Sequence, residues 1–258
     1  MLQLHQRVPG WPGKLNMKFS VRTRSHDEAV STIIKRTRQV FCDDLLMRAM
    51  VSVLALKANG TSAGRTHPLF VDIGSNLGSC TIVAGLLGFD VIAVEPNPSN
   101  VLFVKKNVLL NGLAESVLVL PCGLSNETMD LTFRYSKGNM GMGKFGALPE
   151  PYMKANPLGK WYEASTTVPV MRMEDLPVLY NRSIDLMKVD TEGHEGRVIR
   201  GAGAMLLARQ LHMIYFEDHY AEGARDTESM PSIQAFLASR GYGLVKIAKG
   251  YLYAPLGH

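Results

Sequence analysis

The chain alternates short apolar runs with longer segments in which apolar residues recur at helical spacing. The apolar runs are typical of buried strands and lie at 69–73, 91–95, 116–120, 184–190 and 212–217. The segments with helical spacing lie between them at 81–87, 98–111 and 202–208. A further helical segment at 231–240 precedes two strand-like runs at 242–247 and 250–254. This order predicts an α/β fold with a doubly wound, mostly parallel, seven-stranded sheet that ends in an antiparallel hairpin.

The chain ahead of the first of these strands predicts an N-terminal extension. Residues 1–24 contain Gly, Pro and five basic residues without an acid, and we expect them to form a flexible basic leader. In 25–65, Ser25 and Glu28 have the spacing of a capping box, and apolar residues at helical spacing follow. A helical cap is therefore expected there. Residues 66–258 are expected to form the main domain.

The main domain contains a second group of short strands. The runs 129–135 and 166–171 read as strands, the first of them at an edge, and a stretch rich in Gly, Met and Pro separates them at 136–163. Loops this long inside a compact domain are commonly binding loops or lids. We expect this one to take part in substrate recognition.

The net charge of +5 is unevenly distributed along the chain. Residues 1–65 hold eleven Lys and Arg against four Asp and Glu, whereas the remainder holds seventeen against nineteen. The main domain is therefore mildly acidic, and no aromatic residues interleave with the basic ones of the predicted N-terminal helix. Nucleic acid is not an expected partner.

The cysteines and the hydropathy bear on the compartment. Cys42, Cys80 and Cys122 form no C-x-x-C pair and have no histidine at metal-ligand spacing, so neither a disulfide framework nor a zinc cluster is expected. No secretory signal is seen, and no apolar run has the length needed to cross a bilayer. These features favour a cytoplasmic or organellar, reducing location.

The first buried strand runs into a glycine-punctuated bend. The spacing is Asp72-x-Gly74-x-Asn76-x-Gly78, and the next strand ends in Glu95. Glycines allow a ligand to approach the backbone closely, and an acid at the end of the second strand is placed to bind a ribose diol. The bend lacks the third close glycine of a dinucleotide site. Its acid suits a ligand with an ammonium group, which favours S-adenosylmethionine over a nicotinamide cofactor.

Polar residues also follow the later strands. The third strand ends at Cys122 and Gly123, where an adenine ring could lie against backbone, although a simple turn is nearly as good an interpretation. The fourth strand ends in Asp190, with Glu192 and His194 close behind it. His219 follows the fifth strand. Ligands of open α/β sheets bind at the carboxyl ends of strands, so the reaction centre is expected beside these residues.

Four blocks together resemble the FkbM family of S-adenosylmethionine-dependent methyltransferases. They are Val-Asp-Ile-Gly-Ser-Asn-Leu-Gly at 71–78, Ala-Val-Glu-Pro-Asn-Pro at 93–98, Asn-Val-Leu-Leu-Asn-Gly-Leu at 107–113 and Ile-Asp-Leu-Met-Lys-Val-Asp-Thr-Glu-Gly-His-Glu at 184–195. The resemblance covers roughly 69–220 and implies a Rossmann-like class I methyltransferase fold. Residues 1–65 and the 136–163 loop match no family pattern.

Carried over residue by residue, the resemblance implies that the glycine bend lines the methionine end of the cofactor and that Glu95 holds the ribose. Asp190 and Glu192 would face the transferred methyl group. Together with neighbours in the same turns, the candidate cofactor-binding residues are Asp72, Gly74, Ser75, Asn76, Gly78, Glu95, Pro96, Cys122, Gly123 and Asp190.

The family's substrates imply O-methylation of a sugar, glycan or polyketide-like acceptor. Asp190 or Glu192 is expected to orient the acceptor, and His194 or, preferably, His219 to act as the general base. No metal is expected, although a variant mechanism places a divalent ion among these four side chains. A binding module without catalysis and an NAD-dependent oxidoreductase are the alternatives.

Overall fold

The computed structural model describes residues 1–22, 30–58, 67–135, 141, 143–145, 164–217, 230–247 and 250–256, and every structural statement below refers to these. The capping box at 25–28, most of the predicted 136–163 loop and His219 lie outside the described residues.

Within this part of the chain, a seven-stranded sheet forms the centre of the molecule. Its order is β12-β13-β11-β10-β3-β4-β5, and the five strands from β11 to β5 are parallel. β13 runs antiparallel to both β11 and β12. The strands are β3 (Leu69–Ile73), β4 (Asp90–Val94), β5 (Val117–Leu120), β10 (Leu186–Val189), β11 (Ile214–Glu217), β12 (Tyr242–Ile247) and β13 (Gly250–Pro255). The predicted doubly wound sheet with its C-terminal hairpin is confirmed.

Helices cover both faces of the sheet because its central strands are apolar on both faces. Phe70 of β3 packs in one core cluster, and its neighbours Leu69 and Val71 pack in another, as the alternation of a strand requires. The first face carries α2 (Asp44–Ala58), α3 (Ser79–Leu86) and α4 (Pro98–Leu110). The second carries α5 (Glu195–Arg200), α6 (Gly203–Leu207) and α7 (Met230–Ser239). Asn97 caps α4 by accepting the N–H of Ser99 at 3.0 Å.

A second, four-stranded sheet lies beside the first. Its order is β6-β9-β7-β8, formed by β6 (Gly123–Leu124), β7 (Met129–Tyr135), β8 (Lys144–Phe145) and β9 (Ala164–Met171). The run 129–135 was expected at an edge, but β7 pairs with β9 on one side and β8 on the other. Two single turns of 3₁₀ helix, Met173–Asp175 and Pro177–Leu179, connect this sheet to β10.

The structure corrects the expectation of a flexible leader. Residues 1–22 contain an antiparallel hairpin of β1 (Leu2–Arg7) and β2 (Lys14–Phe19), followed along the chain by α1 (Val30–Thr37). Leu4, Met17 and Phe19 are buried in the first core cluster. Apolar residues alternate with polar ones along both strands, so the segment buries one face against the domain.

Two asparagines of α4 attach this hairpin to the main domain. Asn107 accepts the N–H of Ser20 at 2.6 Å and donates to the Ser20 carbonyl at 3.2 Å. Asn111 makes the same pair of bonds to Lys18, at 2.9 and 2.7 Å. These amides take the place of a neighbouring strand for the backbone at the end of β2.

The structure also contains one disulfide, although the cysteine pattern was not expected to give a disulfide framework. Cys42 and Cys80 are joined, with their Cα atoms 5.1 Å apart, and Cys122 is free and buried. The bond connects the loop before α2 to the first turn of α3. Cysteine usage therefore no longer supports a reducing compartment. None of the described helices is long and apolar enough to cross a membrane.

Candidate functional site

A cavity of about 250 Å³ lies at the carboxyl ends of β3, β4, β10 and β11. The sheet order reverses between β3 and β10, where doubly wound folds form their ligand crevice. The polar side chains that line the cavity come from the strand ends and from α4; they are Asn76, Glu95, Asn100, Asp190, Thr191, Glu192 and Glu217. Aromatic side chains from outside the parallel sheet line it too; they are Phe41, Phe133 and Phe145.

The glycine bend after β3 is held between its two neighbouring strands. The N–H groups of Gly74 and Ser75 both donate to the carbonyl of Val94, at 3.0 and 3.2 Å. Gly74 has a φ of +78°, and a Cβ atom there would overlap the carbonyl oxygen of Asp190. Only glycine therefore allows the bend to approach the end of β10 this closely. Gly78 follows at the start of α3 with a φ of 85°.

Glu95 is buried at the end of β4 and accepts three hydrogen bonds. Its Oε2 atom accepts the N–H of Asn76 at 2.7 Å, and its Oε1 atom accepts the N–H of Asn97 at 2.9 Å and the Nδ2 of Asn100 at 3.3 Å. A carboxylate has about four acceptor positions, so one position, on Oε2, is left for a ligand. Burial raises the pKa of Glu95 from 4.5 to about 7, against the lowering effect of these hydrogen bonds.

A buried lysine connects the ends of β3 and β10, and sequence reasoning missed it. The Nζ atom of Lys188 lies 2.9 Å from Asp190 Oδ2 and 3.4 Å from Asp72 Oδ1, and it donates to the Gly74 carbonyl at 3.1 Å. Burial alone would lower the pKa of Lys188, but the carboxylates of Asp190, Asp72 and Glu217 outweigh it and raise that pKa. A lysine within a strand that is otherwise apolar was the available signal.

Asp72 and Ser75 line a smaller cavity of about 40 Å³ next to the bend. Asp72 is fully buried and accepts a hydrogen bond of 2.6 Å from Thr81 Oγ1. It is absent from the described lining of the larger cavity. The sequence correctly placed Asp72 at the bend, but its described polar contacts are with Thr81 and Lys188.

The predicted catalytic residues are separated by the structure. Asp190 and Glu192 line the larger cavity, with Glu192 at a φ of 55°. His194 does not belong to the described lining; its ring lies 4.9 Å from that of Phe145, and its Nε2 atom is 3.1 Å from Ser125 Oγ. Burial and the nearby Arg197 lower the pKa of His194 to about 4. This histidine is therefore neutral at pH 7 and weakly basic.

The turn that carries these residues is shaped by a buried carboxylate. Glu195 accepts the N–H groups of Thr191 and Gly193 with one oxygen, at 2.9 and 3.0 Å.

Among the described residues, no group of three or more His, Cys, Asp and Glu side chains is arranged to hold a metal.

The predicted adenine contacts are divided between the cavity and the core. Gly123 lines the larger cavity, and so does Pro96, which was predicted only as a cofactor-binding residue. Cys122 points into the second core cluster instead, and burial raises the pKa of its thiol to about 11. Sequence reasoning missed three lining residues, Asn100, Phe133 and Phe145. Asn100 comes from α4 and the two phenylalanines come from the second sheet, so only the folded structure brings them to the cavity.

The model of the methyltransferase FkbM domain matches residues 72–244, well over half of the chain. The protein belongs to the FkbM methyltransferase family. Its cofactor is S-adenosylmethionine, and the site fits that cofactor because Glu95 retains an acceptor position for a hydroxyl group and because Gly74 and Asn76 of the bend line the cavity. Comparison with the sequences of curated proteins found no match.

Comparison with solved structures finds similar chains at low sequence identity. The N-terminal domain of human METTL16 in complex with S-adenosylhomocysteine has 12% identity, covers 88% of this chain and 79% of its own, and gives a TM-score of 0.47. The 16S rRNA methyltransferase RsmC of T. Thermophilus, in complex with AdoMet and guanosine, has 11% identity over 98% of this chain and 50% of its own, with a TM-score of 0.45. The human methyltransferase 10 domain containing protein has 13% identity over 88% and 92%, with a TM-score of 0.42.

Proposed function

We propose that this FkbM methyltransferase methylates a hydroxyl group of a sugar, glycan or polyketide-like small molecule. The observation that carries the proposal is the two-sided lining of the larger cavity. Phe41, Phe133 and Phe145 contribute aromatic surface. Asp190, Glu192 and Glu217 contribute carboxylates. An acceptor with hydroxyl groups and an apolar carbon skeleton matches both halves.

The charge of the cavity disfavours a polyanionic acceptor. No Lys, Arg or His is among its lining residues in the described part of the chain, and Lys188, which contacts the lining residue Asp190, is already engaged by carboxylates. Phosphate groups bind where cations and free N–H groups converge. A neutral acceptor whose hydroxyls donate to carboxylates is therefore preferred over a nucleic acid.

In this proposal, Glu95 accepts a hydrogen bond from the cofactor's ribose and the bend at Gly74, Asn76 and Gly78 borders its methionine end, next to the smaller cavity. The adenine ring is assigned to the neighbourhood of Gly123. The bound cofactor supplies a methyl group that is already activated by a sulfonium, so the protein chiefly has to align the acceptor.

Asp190 and Glu192 are the residues that we assign to the acceptor. Their carboxylates accept hydrogen bonds from its hydroxyl groups and turn the reacting oxygen toward the methyl group. The Lys188 ammonium, 2.9 Å from Asp190, holds that carboxylate in place at the end of β10. His219 stays the candidate for the general base, and His194 is the weaker one because of its low pKa and its contact with Ser125.

The test is methyl transfer from labelled S-adenosylmethionine to a panel of glycans, polyketides, amines and RNA. We expect incorporation into hydroxyl compounds, a loss of about a hundredfold in kcat for Asp190→Asn and no change in affinity for S-adenosylhomocysteine. Asp130→Asn, an exposed aspartate of β7, is the matched control. Incorporation only into amines or RNA would refute the proposal.

Calorimetry separates the alternatives. The enzyme is expected to bind S-adenosylmethionine and S-adenosylhomocysteine but not NAD, whereas an oxidoreductase would bind NAD. A binding module would bind the cofactor without any transfer. His219→Gln completes the series, since normal turnover in this variant would remove His219 as the base.

A further inference from the structure

One buried arginine connects the N-terminal segment to the cofactor cavity. Arg22 follows β2 and is 7% exposed. Its Nη2 atom donates to Asn100 Oδ1 at 2.8 Å, and its guanidinium carbon lies 4.6 Å from the ring centroid of Phe103. Both partners belong to α4. The arginine is therefore fixed on the helix whose Asn100 lines the cavity.

The side chain of Asn100 lies between Arg22 and Glu95. Its Nδ2 atom donates to Glu95 Oε1 at 3.3 Å. A guanidinium can only donate, so the amide oxygen must face Arg22 and the amide nitrogen must face Glu95. The arginine thus determines the orientation of the amide, and the amide in turn occupies an acceptor position on Oε1.

The backbone of Arg22 is held as well. Its N–H donates to Ser31 Oγ at 3.0 Å, and its carbonyl accepts from Lys35 Nζ at 2.5 Å. Ser31 and Lys35 both belong to α1. The hairpin, α1 and α4 therefore meet at this residue, and its side chain has a defined position relative to α4.

We propose that Arg22 is a positioning residue for cofactor binding: it orients Asn100, which holds Glu95 with its open Oε2 position available to the ribose. The inference rests on the role proposed for Glu95. It gives the segment 1–22, which lies outside the family match at 72–244, a part in binding the cofactor.

The test compares Arg22→Met with wild type. Methionine removes the donors but keeps an apolar stem against Phe103. We expect the Kd for S-adenosylhomocysteine to rise about fivefold, the effect of losing one ordered hydrogen bond, and KM for S-adenosylmethionine to rise with kcat unchanged. Arg7→Met, at an exposed position on β1, is the control and should bind as wild type.

A double-mutant cycle distinguishes positioning from general support of the fold. If Arg22 acts through Asn100, Asn100→Ala should weaken binding on its own, and adding Arg22→Met should weaken it no further. Additive losses would overturn the proposal. So would a folded Arg22→Met protein whose Kd lies within twofold of wild type.

Other outcomes remain separable. If wild-type protein does not bind S-adenosylhomocysteine, the role assigned to Glu95 is wrong and the proposal for Arg22 fails with it. If wild-type protein binds, the Arg22 variants test the proposal for Arg22 alone. Should Arg22→Met not fold, Arg22→Leu gives the same comparison, because its side chain has no hydrogen-bond donor for Asn100. Wild-type affinity in that variant would also overturn the proposal.

Discussion

In the ligand-free protein at pH 7, we expect the Glu95 carboxyl to be close to half protonated, because burial raises its pKa from 4.5 to about 7. The folded state then holds this proton at pH values where the unfolded chain has released it. The resulting contribution to stability is complete below about pH 4.5 and is lost as pH rises through 7. Between pH 5 and pH 8, the free energy of unfolding should fall by about 2.5 kcal/mol from this group.

Glu95→Gln removes the titration and keeps the shape. Its amide nitrogen must replace one acceptor oxygen, so one N–H, such as that of Asn76 or Asn97, loses its partner. This loss destabilises the variant by about 1–3 kcal/mol, but the amount does not vary with pH. The informative quantity is therefore the difference between wild type and variant as a function of pH.

The assay is urea denaturation of both proteins at pH 5, 6, 7 and 8. Wild type should lose its advantage over Glu95→Gln steadily between pH 5 and pH 7, whereas the exposed Glu115→Gln should follow wild type throughout. Parallel curves for wild type and Glu95→Gln would refute the assignment of a buried carboxyl with a raised pKa. Binding of S-adenosylhomocysteine should strengthen as pH rises through 7 in wild type and in Glu115→Gln but not in Glu95→Gln.

Two further substitutions test the frame of the site. Lys188→Met leaves the buried carboxylate of Asp72 and the partly exposed carboxylate of Asp190 without their cation, so urea denaturation should show a loss of about 3 kcal/mol. Addition of Asp72→Asn should restore part of it, and a loss below about 1 kcal/mol would contradict the contacts described. Gly74→Ala should abolish binding of S-adenosylhomocysteine in calorimetry, because the added Cβ atom would overlap the Asp190 carbonyl oxygen. The control is Gly88→Ala, which is also at positive φ but has open space around it and should bind normally. Equal binding by both variants would refute the steric argument.

The sheet was predictable because its strands are short, apolar and separated by helical spacing. The first strand was predicted at 69–73 and is observed at Leu69–Ile73. The N-terminal hairpin was not recognised, since basic residues occupy its solvent face and resemble a charged leader. Its attachment also depends on Asn107 and Asn111, which lie about 90 residues further along the chain. No local pattern contains such a contact.

In the cofactor site, too, local sequence patterns predicted some features, and contacts between distant residues determined others. The strand-end position of Asp190 predicted its place at the cavity, but the strand-end position of Cys122 did not reveal that its side chain enters the core. A position at a strand end determines at which edge of the sheet a residue lies. Whether its side chain points into the cavity or into the core depends on packing. The pairing of Cys42 with Cys80, 38 residues apart, is likewise a property of the folded chain.

The cavity is built from two sources with different sequence signals. Its floor comes from strand ends within the family match, where Gly74, Glu95 and Asp190 follow a recognisable pattern. Val30 and Phe41 come from ahead of the matched region, and Arg22 reaches the same cavity through Asn100. In the arrangement proposed above, the cofactor contacts the strand ends whatever the acceptor, so we expect selection of the acceptor to depend on outer elements such as Val30 and Phe41. Replacement of these elements can then change the substrate while the chemistry at the sheet edge stays the same.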